Sequence, residues 1–164
     1  MPRSDRRIRR LRSGRFQVRL SPEERAVLRT LPEQLRELLD SDDPALVRLF
    51  PPAYGDDAER SAEYAALVGD DLRAHRRSAL DVMEATIDAD GLDEEQMAAW
   101  LEALNDFRLV LGTRLEVTEE MRPDDISEDD PQAPGLALYY YLGWLQEQIV
   151  EALASGVDPA GTIE

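Results

Sequence analysis

One stretch, Met97 to Leu115 (MAAWLEALNDFRLVLGTRL), constrains the fold more than any other part of the chain. At about 100° per residue, Met97, Trp100, Leu101, Leu104, Phe107, Leu111 and Leu115 fall in one apolar stripe, and Arg108 lands near its centre. A stripe of that length has to be covered by other elements. A guanidinium is always ionised, so in such a place it needs a carboxylate or several carbonyls; unpaired burial costs on the order of several kcal/mol. An aspartate near Asp70 or Asp71 is the expected partner, with Asn105, which borders the same stripe, as a second polar contact.

The rest of the chain supplies the cover. With 164 residues it fits one domain and can bury a core. The absence of cysteine excludes disulfides, thiolate metal sites and thiol redox chemistry. The longest apolar run, Leu136 to Leu145, is far short of the roughly 20 residues of a membrane-spanning helix. No apolar segment follows the N-terminal arginines as a secretory signal would require, so the expected location is cytoplasmic, with no membrane partner.

Charge is the most uneven property. The first 20 residues hold eight arginines against one acid, a local charge of +7, which leaves −23 of the total −16 to the other 144 residues. Such an acidic body repels nucleic acid at long range, whereas the arm attracts it. All 19 basic residues are arginine, which reads as codon usage rather than chemistry.

Along the chain, residues 1–7 read as a flexible basic arm. Ile8 to Leu11, a Ser13-Gly14 turn, and the alternating Phe16, Val18 and Leu20 read as a β-hairpin that docks on helices. Its arginines Arg9, Arg10 and Arg12 are candidate phosphate contacts; the competing reading pairs them with the acidic body. Ser21-Pro22-Glu23-Glu24 is a capping-box helix start, and Pro32 should kink or split the helix near Thr30. Asp43-Pro44 opens a short turn through Leu46 and Leu49, after which Phe50 and Tyr54 should plug the core. Asp56 or Asp57 starts a helix expected to give way near Gly69. Asp70 or Asp71 starts the next, with Leu72, Ala79, Leu80, Met83 and Ile87 inward, Arg76 near the apolar side, and Gly91 as its C-terminal cap. His75 lacks the ligand spacing of a metal helix and is expected to be packed or solvated.

Asp88, Asp90 and Gly91 superficially suggest a calcium loop, but the first and twelfth ligand positions fall on Thr86 and Met97, so no metal is expected. Asp93 with Gln96 instead forms a capping box for the central helix, with Leu92 and Met97 as its hydrophobic staple, and Gly112 should end or bend that helix. Arg122 to Pro134 reads as an acidic, mobile connection. Gly135 to Leu153 reads as a closing helix, apolar nearly all round its first half, whose Tyr140 and Trp144 are candidates for a partner surface or a homo-dimer contact. Residues 154–164 read as a flexible tail, leaving 8–153 as a single compact, mostly α-helical domain with a small N-terminal β-hairpin.

Three phrases, LFPPAYGDD, AAWLEALNDFRLVLGTRLEV and YYYLGWLQE, occur in that order and resemble a family of small actinobacterial proteins described only as a domain of unknown function. The resemblance runs from the Arg15 strand to about Leu153. It implies a cytoplasmic bacterial protein, often encoded near the ClpS protease adaptor and cysteine-metabolism genes. It also implies kinship with AosR-type oxidative-stress regulators that sense oxidation through a cysteine pair and work with the transcription machinery. The chain has no cysteine, so disulfide sensing does not carry over.

No catalytic constellation, cofactor motif or cofactor is expected. The reading that follows is a non-enzymatic cytoplasmic regulatory or interaction protein whose partner is a protein, with transcription machinery as the candidate. The alternatives are weak DNA binding through the arginine arm, and an enzyme or anionic-ligand binder using Arg108 and Asn105.

Overall fold

The computed structural model describes residues 6–50 and 58–155. Five α-helices and three short strands are found among them. Strands β1 (Ile8–Arg10) and β2 (Phe16–Val18) pair antiparallel with Ile8 opposite Val18 and Arg10 opposite Phe16. Gly14 closes the turn at φ 88°, a left-handed conformation that glycine adopts without a Cβ penalty. Ile8, Phe16 and Val18 are buried while Arg9 stays exposed, the alternation of a sheet with one face on the core.

The hairpin is one strand short of the observed sheet. Strand β3 (Gly91–Leu92) pairs with the free edge of β2, Phe16 opposite Leu92 and Gln17 opposite Gly91, so Gly91 is a strand residue and not a helix cap. Two residues are too few to leave an alternating pattern, and what makes the strand is the waiting edge of β2. The other edge is closed by a side chain: the buried Gln148 accepts from the backbone N–H of Arg7 at 2.5 Å and of Ile8 at 3.3 Å. Arg7, placed in the arm by sequence, is held further by an ion pair to Glu24 at 2.9 Å.

Pro32 splits the first helical segment as expected. Helix α1 (Pro22–Arg29) starts with the Ser21–Glu24 capping box, and α2 (Leu31–Leu39) follows after Thr30. Asp43 caps a 3-10 turn over Pro44–Arg48 by accepting from Ala45 N–H at 2.8 Å. Phe50 packs against the core; Tyr54, Asp56 and Asp57 lie outside the described residues.

Helix α3 (Ala58–Ala85) runs unbroken through Gly69, contrary to the expected break. One glycine costs a helix only about 1 kcal/mol against alanine, which tertiary packing overrides. Gly69 is buried, and a Cβ there would meet the Arg73 guanidinium at 3.2 Å. Ala79, Leu80 and Met83 are buried as expected, but Leu72 is 38% exposed. The helix stops at Ala85, six residues before Gly91, where the Thr86 hydroxyl donates back to Val82 O at 2.7 Å and accepts from the buried Trp100 indole at 2.7 Å. Asp88 and Asp90 pair with Arg29 and Arg25 of α1. No cluster of metal-ligating side chains occurs among the described residues.

Helix α4 (Glu94–Arg114) begins with the Asp93–Gln96 capping box, Leu92 and Met97 both fully buried beside it, and passes Gly112 without ending there. It lies between α3 and α5 (Ala133–Ala154). Being covered on two sides, it buries Ala103, Asp106 and Val110 along with Trp100, Leu104 and Phe107. Its buried arc is therefore rotated by roughly 70° from the stripe read off the sequence, which moves Arg108 to the margin and brings Asp106 inside. Between α4 and α5 the chain makes a 3-10 turn at Pro123–Asp125. No described helix is long and apolar enough to cross a membrane.

Candidate functional site

Arg108 leaves α4 on the side facing α5. The expected ion pair with Asp71 does not form, and the Asp70 side chain lies outside the described residues: the buried ion pair of α4 is Arg76–Asp106, made to α3, and Arg108 has no carboxylate within ion-pair distance among the described residues. Its guanidinium stands over the Tyr139 ring at 5.0 Å and donates to Gln146 Oε1 at 3.3 Å. Gln146 in turn donates to Asn105 Oδ1 at 3.3 Å. Asn105 and Arg108 are thus joined through one amide of the facing helix, a bridge that only the packing of α4 on α5 creates.

Gly143 makes this packing fit. A Cβ at that position would lie 3.0 Å from Arg108 Nε and 3.2 Å from Cζ, so the guanidinium lies directly on the backbone of α5. Gly143 shares a helix face with Tyr140, Trp144, Glu147, Val150 and Glu151, at the i, i+3, i+4, i+7 spacing of one stripe. This face, Arg108 and Pro123 line an open groove of about 660 Å³. The structure therefore brings three sequence-selected residues, Arg108, Tyr140 and Trp144, to one place.

Beneath this groove two polar atoms are shut off from water without a partner, Arg108 Nε and the Tyr140 hydroxyl. Each such group costs about 1–3 kcal/mol of lost hydration. Trp144 is half-buried between the Tyr141 ring, 5.9 Å away, and the Arg7 guanidinium, 5.6 Å from its centroid. The Tyr141 hydroxyl donates to Glu24 at 2.7 Å, which locks this end of α5 to α1. Burial and the Glu24 carboxylate together hold the Tyr141 phenol protonated well above its usual range.

The arginines of the hairpin lie elsewhere. Arg9 and Arg12 are exposed. Arg10 is engaged inside the protein, donating to Leu153 O at 3.1 Å, lying 5.1 Å over Phe16 and approaching Glu94 at 3.8 Å. Arg9 and Arg10 line a small cavity of about 60 Å³ whose far wall is α5, and Glu151 borders both cavities. His75 is an exposed surface residue paired with Glu102 at 2.6 Å.

Gln146, Gln148, Gly143 and Asp106 were not singled out by sequence reasoning. Asp106 alone had a signal there, an acid two positions from a supposedly buried arginine. The others matter only through a facing element.

The model of a family described as a domain of unknown function, DUF2017, matches residues 5–153. The chain belongs to that family. Among curated proteins it is similar to a "Putative oxidative stress regulator AosR" of Mycobacterium leprae, 31% identical over 129 residues, which is 68% of this chain and 59% of that relative. It is also similar to the "Oxidative stress regulator AosR" proteins of Mycobacterium bovis and Mycobacterium tuberculosis, each 28% identical over an alignment of 180 residues spanning 85% of this chain and 82% of the relative. No solved structure gives a significant match. Each of these relatives is named as a regulator of oxidative stress.

Proposed function

We propose that this chain is a non-enzymatic, cytoplasmic regulatory protein that works by binding another protein through the exposed face of α5, with transcription machinery as the partner. The observation that carries the reading is the half-exposed pair Tyr140 and Trp144, set one turn apart beside Arg108 in an open groove. Aromatic side chains and arginine are the residue types enriched at protein interfaces, because they bring large area with few rotamers and a polar handle. The relatives' designation as regulators supports a role by contact over one by catalysis.

Arg10, the most enclosed of the three candidate phosphate-binding arginines, has its donors turned to protein groups, which leaves Arg9 and Arg12 of these three for a nucleic acid. Two such contacts on an acidic protein give little affinity at physiological salt.

The test is affinity capture of the tagged protein from an actinobacterial lysate with and without nuclease, beside a folded variant carrying Tyr140→Ser and Trp144→Ser. RNA polymerase or a sigma factor should co-purify after nuclease treatment and be lost with the double variant. Loss of every partner on nuclease treatment would instead favour the arginine arm and DNA.

A further inference from the structure

We propose that the Arg108 end of the α4–α5 groove binds the carboxylate of a small organic monoacid with an apolar body. This goes beyond the partner reading and does not depend on it.

Arg108 differs from the arginines around it. Arg7, Arg36, Arg76 and Arg114 each hold a carboxylate, whereas Arg108 spends one donor on a 3.3 Å bond to a neutral amide and rests on a tyrosine ring. A guanidinium presents five N–H donors in a planar fork that matches a carboxylate, and here most of that fork has no acceptor among the described residues. The Tyr140 hydroxyl, on the same side of α5, also lacks an acceptor. Arg108 Nε and the Tyr140 hydroxyl are enclosed, so the donors left to the cavity are the Nη groups of Arg108, and these are what a bound carboxylate would satisfy.

The rest of the lining selects among anions. Trp144, Pro123 and Val150, the last 48% exposed, offer apolar surface for the body of a ligand. Glu147 and Glu151 stand on the rim with no cationic partner within ion-pair distance among the described residues. One positive charge flanked by two negative ones disfavours phosphates and polyacids and tolerates a single carboxylate. The volume of about 660 Å³ is that of a small-molecule site. Gly143 keeps the guanidinium flat on the α5 backbone, so the cation is held in place before any ligand arrives.

Isothermal titration of the purified full chain with hydrocinnamate and hexanoate, against their primary amides, inorganic phosphate and citrate, tests this. The acids should bind with Kd in the range of roughly 0.1–1 mM, the amides about tenfold or more weaker, and phosphate and citrate no better than the amides. Arg108→Met should weaken the acids about tenfold or more. Equal binding of acid and amide, preference for citrate, no binding of either acid up to roughly 10 mM, or unchanged binding by a folded Arg108→Met would each overturn the proposal. If Arg108→Met does not fold, the acid–amide comparison decides. Because no partner protein is present, failure here leaves the protein-contact reading untouched, and a failed capture leaves this one untouched.

Discussion

Arg76 of α3 donates to Asp106 of α4 across 2.5 Å, and Asp106 is only 1% exposed. The same guanidinium donates to Leu49 O at 2.9 Å and stands 5.5 Å from the centroid of the Phe50 ring. One ion pair thus ties together helices α3 and α4 and the end of the 3-10 turn. Burial pushes the Asp106 carboxyl above its ordinary range, and Arg76 offsets that push only in part. Its second oxygen has no hydrogen-bond donor. The pair therefore fixes how α3 meets α4 at a cost in hydration.

Removing one member should be worse than removing both. Asp106→Ala strands the Arg76 charge and is expected to cost about 3–5 kcal/mol, a fall in Tm of roughly 6–20 °C for a chain of this size. Arg76→Met combined with Asp106→Leu fills the space with apolar atoms and should recover most of that loss. Urea titrations of the three proteins measure it; a double variant as unstable as the single one would show that packing, not the stranded charge, sets the cost.

Arg108 should behave in the opposite way. It holds no carboxylate and carries a buried Nε without a partner, so Arg108→Leu is expected to change stability by less than about 1 kcal/mol, in either direction. Thermal melts beside Asp106→Ala make the comparison directly. A loss as large as that of Asp106→Ala would assign Arg108 to the frame of the fold.

The contrast between these two arginines shows what the sequence could and could not say. The capping boxes at Ser21 and Asp93, the split at Pro32 and the mostly helical class were legible, because each rests on contacts within a few residues, whereas the ion pair expected of Arg108 belongs to Arg76. Which arginine was buried was not legible. Periodicity gives the apolar arc of a helix facing one neighbour, and α4 faces two, so Ala103 and Val110 join the core and draw Asp106 in with them. Strand β3 was hidden for a similar reason, since its two residues are made a strand by the edge of β2. Of the groove, Arg108, Tyr140 and Trp144 were visible singly, whereas the role of Gly143 exists only once Arg108 is laid across it.

Gly112 shows how packing can outweigh propensity. Alanine there would gain about 0.5–1 kcal/mol of helix propensity, but its Cβ would sit 3.0 Å from Tyr139 Cε2. That ring is held between the Arg108 guanidinium and the edge of Tyr140, 5.3 Å away, and has little room to retreat. Gly112→Ala is therefore expected to lower stability by about 1 kcal/mol net. Pairing it with Tyr139→Leu should turn the effect favourable, which chemical denaturation of both variants can check.

Glu24 sets an acid limit on the fold. Burial raises its carboxyl, but hydrogen bonds from the Tyr141 hydroxyl, the Ser21 backbone and Arg7, with the charge of Arg7, outweigh that and leave it below its ordinary 4.5. A lowered folded value means that the unfolded chain takes up the proton first as pH falls. The stabilisation is thus full above about 4.5 and is lost as pH drops through the folded value. Glu24→Gln should cost about 1 kcal/mol at neutral pH, where the ionised carboxylate's stronger hydrogen bonds are lost from a site still partly open to solvent. The gap between wild type and variant should then close as pH is lowered. Asp106, with its raised value, contributes with the opposite sign but is common to both proteins and cancels in the difference. Denaturation midpoints taken from neutral pH down into the acid range would show the gap closing; a constant gap would mean that Glu24 acts through the shape of its contacts and not through its charge.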